Sequence, residues 1–167
     1  IEIGFGNGEF LIKKAISNPE ELYIGVEVYL NGIIKVLQNI LDFKLKNIIL
    51  SNMNGVYFLK SIPHKSVDNI YIINPDPWIK KKHNKRRIMT YEVIETLNKI
   101  IKVKNSIYMT TDSEPYLNDT IKLLNEHQSS LGKYSMRVLS KNDELYGISR
   151  YQKKALKKGR KIYQLLL

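Results

Sequence analysis

Glu2-Ile3-Gly4-Phe5-Gly6-Asn7-Gly8 stands between a short apolar run and residues 9–17, where apolar side chains recur at helical spacing. A glycine-rich turn from strand to helix marks the first crossover of an open α/β sheet, and ligands bind such sheets at that carboxyl edge. Outward from this turn, apolar runs rich in Ile, Val and Tyr at 22–28, 47–50, 67–73 and 106–110 predict further strands. Between them, segments 9–17, 30–43, 91–101 and 115–127 space their apolar residues as amphipathic helices do, as in Ile33, Val36, Leu37, Ile40 and Leu41. Strands alternating with helices predict an α/β, doubly wound, mostly parallel sheet covered on both faces. Residues 136–139 and 161–167, separated by a loop and a basic stretch, predict an antiparallel C-terminal strand pair. Repeats, low-complexity linkers and domain boundaries are absent from the sequence.

Composition narrows the function classes. The chain has 167 residues, 43% of them hydrophobic and 26% charged, which is a globular composition rather than a disordered one. No apolar run reaches the length of a membrane span and no signal-peptide pattern opens the chain, so a cytoplasmic protein without a membrane partner is expected. Zero cysteines exclude disulfides, thiolate zinc sites and cysteine nucleophiles, and three scattered histidines (His64, His83, His127) argue against a metal site. Residue 1 is Ile within the tail of a strand, which predicts a missing N-terminal segment.

Gly4, Gly6 and Gly8 allow close backbone approach to a ligand, but Glu9 occupies the third glycine position of a dinucleotide fingerprint, so a nicotinamide dehydrogenase is disfavoured. Glu2 before the loop and Glu27 after the second strand suit a cationic, ribose-bearing ligand such as S-adenosylmethionine; the plain alternative is a tight strand-to-helix connection. After the fourth strand, Asn74-Pro75-Asp76-Pro77-Trp78 holds Asp76 between two prolines that fix φ, at the same sheet edge; the alternative is a rigid turn with a packed Trp. The run Lys80-Lys81-Lys82-His83-Asn84-Lys85-Arg86-Arg87 carries six cations, and Lys153, Lys154, Lys157, Lys158, Arg160 and Lys161 carry six more, out of 27 in the chain. Such runs are commonly solvated faces, yet concentrated beside a rigid acidic loop they fit a nucleic acid held by its phosphates. Asp112 in Thr110-Thr111-Asp112 is either a ligand-edge acid or a helix N-cap, and Ser149-Arg150-Tyr151-Gln152 adds a hydroxyl, a guanidinium, a ring and an amide.

Together these marks resemble the bacterial tRNA (guanine-N7)-methyltransferases, the TrmB family: the loop 2–8, Gly25-Val26-Glu27, Asn74–Trp78 followed by Lys80 and His83–Arg87, Thr111-Asp112 with Tyr116, and Ser149–Gln152, in the family's order along the chain. The resemblance implies one Rossmann-like S-adenosylmethionine-dependent methyltransferase domain over residues 1–167, acting on N7 of guanosine 46 in the variable loop of tRNA. It implies Glu2, Gly4, Gly6, Gly8, Glu27, Asn54 and Asp76 as cofactor residues, with Asp76 also catalytic. Lys80, Asp112, Ser149, Arg150, Tyr151 and Gln152 fall at its substrate positions, and Lys82, His83, Asn84, Lys85, Arg86 and Arg87 at its RNA-contact tract. Partners would be tRNA and no metal, in a monomer or homodimer.

The chain departs from the family pattern at Asn54, where Asp is usual; at Ser149 and Gln152, where Thr and Glu are usual; and at Lys104-Asn105, where Gly-Gly is common and Asn is the residue that tolerates a left-handed conformation. A catalytically weakened tRNA-binding protein and a methyltransferase acting on another nucleic acid or another atom are the competing expectations.

Overall fold

A computed structural model describes the backbone of residues 1–167 and the side chains of all but Lys81, Ser130 and Leu131. The sheet has seven strands in the order β3-β2-β1-β4-β5-β7-β6. These are β1 (Glu2–Ile3), β2 (Tyr23–Val26), β3 (Ile48–Ser51), β4 (Val67–Ile73), β5 (Ile101–Thr111), β6 (Ser135–Val138) and β7 (Tyr163–Leu166). Pairings among β1 to β5 are parallel, while β7 runs antiparallel to both β5 and β6, so the expected closing pair is present. The helices are α1 (Glu9–Ser17), α2 (Leu30–Asp42), α3 (Gly55–Lys60), α4 (Tyr91–Ile100), α5 (Glu114–Glu126), α6 (Gln128–Leu131) and α7 (Arg150–Lys157), with a 3-10 helix at Lys81–Arg86.

Period-two alternation along the central strands builds a core on each face. From β4, Ile70 and Ile72 join Val93, Ile94 and Leu97 of α4 and Tyr116 and Leu124 of α5, while Ile73 turns to the opposite face to meet Phe10 of α1 and Ala155 of α7. A third cluster packs Leu11 and Ala15 of α1 against Val36 of α2.

Three local readings are corrected. The stretch between the last two strands is not only loop: it contains α7, whose inward face is Gln152 and Ala155, too polar a face to give an apolar period. Helix α3 was not expected because six residues carry too little periodicity; Asn54 starts it, its side chain accepting from the Val56 N–H at 3.0 Å. In β5 the left-handed residue is Lys104 (φ 71°), not Asn105. The register jumps from Val67↔Ile101 to Asn69↔Ser106, and Asp68 gathers the bulged residues by accepting from Lys102 at 2.9 Å and Asn105 at 3.3 Å.

Candidate active site

Because β1 to β5 are parallel, the segments leaving their carboxyl ends converge, and they enclose a cleft of about 1440 Å³. The glycine loop forms its floor. Gly4, Gly6 and Gly8 all have positive φ (73°, 56° and 74°). A Cβ at Gly4 or Gly6 would meet nothing within 4 Å, so bare backbone faces the space there, whereas one at Gly8 would lie 2.1 Å from Val36 Cγ2. Gly8 is therefore a packing position between α1 and α2, and it does not line the cleft.

Glu2 reaches the cleft from β1 but is only 3% exposed, and its Oε2 has no hydrogen-bond partner among the described residues. Burial, reinforced by the Glu9 and Glu27 carboxylates, pushes its carboxyl up to about 8. Glu27 is organised differently: its carboxylate accepts from the N–H groups of Gly6 (2.8 Å), Val28 (2.8 Å) and Tyr29 (3.0 Å), which ties the end of β2 to the glycine loop. Of the roughly four lone-pair sites of a carboxylate, one then remains for a ligand hydroxyl. Asn54 lines the cleft with its amide oxygen already engaged as the α3 cap, leaving its second lone pair and its NH₂. Exposed Val28 (59%) and Met53 (45%) add an apolar wall that sequence reasoning missed; the signal was their position just past β2 and β3.

The opposite wall is the segment after β4. Asn74 and Trp78 both adopt left-handed φ (48° and 42°), on either side of Pro75-Asp76-Pro77. The Asp76 carboxylate is exposed to the cleft and has no hydrogen-bond partner among the described residues. Asp112, beyond β5, also lines the cleft and accepts from Asn74 Nδ2 at 3.3 Å and from Arg160 at 2.9 Å. With Lys161, which also lines the cleft, this places two cations of the second basic cluster at the site. Ser149, Arg150 and Tyr151 line the cleft from the start of α7, Ser149 as its cap and Tyr151 69% exposed.

The 3-10 helix sorts the basic tract, because side chains three apart eclipse one another. Lys82 and Lys85 are exposed. His83 sits edge-on to Trp78 at 5.7 Å and Arg86 lies over the same ring at 4.9 Å. Asn84 and Arg87 turn inward: the Asn84 oxygen is buried without a partner among the described residues, and Arg87 donates to the Pro77 carbonyl (2.7 Å) and to Asp119 (2.6 Å) beneath the cleft wall. Lys85, Arg86 and the small exposed edge of Arg87 line the cleft, exposed Lys80 stands next to it, and the Lys81 side chain lies outside the described residues.

Two expected contact residues are thus largely buried, with their polar groups bonded within the protein. Arg87 has a side chain only 7% exposed. Gln152 is 0% exposed and does not line the cleft, its amide donating to Asn74 Oδ1 and Thr110 Oγ1. Burial behind α5 and behind the Asn74 segment is the physical reason in each case. Among the described residues no cluster of His, Cys, Asp and Glu could hold a metal, and no helix is long and apolar enough to cross a membrane.

A family model described as putative methyltransferase matches residues 1–165. The chain is 37% identical over 165 residues to a bifunctional methyltransferase of Rickettsia felis, covering 96% of this chain and 30% of that protein. It is 34% identical over 164 residues to a tRNA (guanine-N(7)-)-methyltransferase of Wolbachia pipientis, covering 97% of this chain and 71% of the relative. The chain thus spans less than a third of the bifunctional relative. In fold it resembles the 16S rRNA (adenine(1408)-N(1))-methyltransferase of Catenulisporales acidiphilia, with a TM-score of 0.66, 17% identity, and coverage of 99% of this chain and 82% of the other.

Proposed function

The chain belongs to the tRNA (guanine-N7)-methyltransferase family of putative methyltransferases, and from that premise we propose that it transfers a methyl group from S-adenosyl-L-methionine to N7 of guanosine 46 in tRNA. The observation that carries the reading is that the glycine loop and the Asp76 segment, remote in sequence, line one cleft with cations at its rim. The donor set suits this cofactor: a buried, unpartnered Glu2 oxygen for a cationic amino group, one free position on Glu27 for a ribose hydroxyl, backbone at Gly4 and Gly6, and Asn54 with an apolar wall for a flat base.

S-adenosyl-L-methionine, when bound, supplies a methyl group activated by a sulfonium centre. Guanine N7 carries a free lone pair, so the chain needs no strong base for the displacement. Its task is alignment, which can contribute several kcal/mol, and balancing the positive charge that arrives on the purine. Asp76 does the second, accepting hydrogen bonds from the guanine edge or the cofactor, with Asp112 beside it. Arg150 and Tyr151 meet the substrate from α7. Lys80, Lys82 and Lys85 hold phosphates, while His83 and Arg86 brace Trp78.

The test is transfer of labelled methyl to unmodified tRNA beside a transcript whose guanosine 46 is replaced. Methylation of the first and not the second is expected. Equal methylation of both moves the target elsewhere, and no transfer together with no cofactor binding overturns the reading.

A further inference from the structure

Nothing but the backbone aims the Asp76 carboxylate, and that backbone is in an unfavourable conformation. Two non-glycine residues in left-handed geometry, Asn74 and Trp78, flank it; Asn tolerates that region, whereas for a bulky side chain such as Trp it is strained. Asn74 also precedes a proline, which favours extended backbone instead. A segment of this kind keeps one shape only if its surroundings over-determine it.

The surroundings hold it at both ends. At the Asn74 end, Oδ1 accepts from Thr110 Oγ1 (2.8 Å) and from Gln152 Nε2 (2.9 Å), and the backbone N–H donates to the Thr110 carbonyl (3.0 Å). Gln152 is itself fixed, its Oε1 accepting from the Ile148 N–H at 3.2 Å. At the Pro77 end, Arg87 Nε donates to the carbonyl, Nη1 pairs with Asp119 of α5, and the guanidinium lies 4.8 Å from the centre of the Tyr116 ring. Tyr116 in turn accepts from the Met89 N–H at 3.1 Å, locking the platform.

We propose that Arg87 and Gln152 are positioning residues for Asp76: two buried side chains, from opposite sides of the sheet edge, that pin the two ends of the Asn74–Pro77 segment and do not meet RNA. This rests on the reading of the cleft as a methyl-transfer site. The amide at 152 supplies the donor that both oxygens use, Nε2 donating to Asn74 Oδ1 and Thr110 Oγ1, and an apolar side chain of similar shape there removes it.

Trp78 is the chain's single tryptophan and ends this segment, so its fluorescence reports on the pinning whether or not methyl transfer is observed. The experiment compares wild type, Arg87→Met and Gln152→Met, with Arg87→Gln and Gln152→Leu as second variants should either methionine prevent folding. Read out are acrylamide quenching of Trp78, the single-turnover methylation rate, and tRNA affinity against salt, with Lys82→Ala as the phosphate-contact comparison. Expected are a rate loss of roughly 10- to 100-fold, easier quenching of Trp78, and a salt slope equal to wild type. Lys82→Ala should instead lower that slope by nearly one. A lowered slope in Arg87→Met, or a rate within about twofold of wild type with unchanged quenching, overturns the proposal. If the wild-type chain transfers no methyl, the reading of the cleft fails while the quenching arm still decides the pinning, and quenching unchanged in the variants overturns it.

Discussion

At the scale of single residues the site is governed by how differently three carboxylates are solvated. Asp76 is exposed, Glu27 is capped by three backbone N–H groups, and Glu2 is buried. Folded Glu2 keeps its proton to about pH 8, whereas an unfolded chain releases it near 4.5. Between those values the folded state holds the extra proton, so this group's stabilising contribution is complete below about 4.5, declines as pH rises, and is gone above about 8. Glu2→Gln removes that slope. Thermal unfolding of the unliganded chain should fall more steeply from pH 5 to pH 8 in wild type than in the variant, by at most ~1.4 kcal/mol per pH unit, and identical slopes would show that Glu2 ionises normally. Gly8→Ala is expected to destabilise for two separate reasons, the positive φ and the approach to Val36, and chemical denaturation measures the sum.

At the scale of elements, what the sequence reveals depends on how an element is held. β4 and α1 take the bounds their apolar patterns predict, because their side chains alone decide their burial. α3, α7 and the 3-10 helix were illegible: they are short, and caps and distant partners hold them. Asn54 illustrates the consequence, since a residue expected at the adenine also starts a helix. Asn54→Ala should cost about 1 kcal/mol of stability, while Asn54→Asp keeps the cap, gains about 0.3–1 kcal/mol from the helix dipole if its carboxylate stays exposed, and should tighten cofactor binding by calorimetry. A weaker cofactor complex in Asn54→Asp would count against the adenine role. The same limit applies to the basic tract. Composition presents six equivalent cations, but threefold periodicity leaves Lys82 and Lys85 in solvent and turns Arg87 under α5, which no local pattern encodes. Removing Lys82 and Lys85 together should lower the salt slope of tRNA binding by nearly two, and an unchanged slope would remove the tract from the interface.

At the scale of the whole molecule, parallel β1 to β5 carry the glycine loop and the segments of Glu27, Asp76 and Asp112 to one edge, which is why their placement was legible once the alternation of strands and helices was recognised. The roles of Arg87 and Gln152 were not, because their burial depends on α5 and α7 folding back over segments far away in sequence. A cofactor spanning β1, β2 and β3 should stabilise the fold globally: at about a hundred times its dissociation constant it contributes about 2.7 kcal/mol, which should raise the melting temperature by about 5–10 °C. The shift should be smaller at pH 6 than at pH 8, since a cationic group beside Glu2 must first displace its proton; equal shifts would place that group elsewhere. The most direct measurement is the identity of the methylated nucleoside in digested tRNA after reaction with S-adenosyl-L-methionine, for wild type and Asp76→Asn at matched tRNA occupancy. The expected result is 7-methylguanosine from wild type and a loss of about a hundredfold or more in the variant with its tRNA affinity retained. A methyl group on any other atom, or undiminished 7-methylguanosine from Asp76→Asn, would contradict the account.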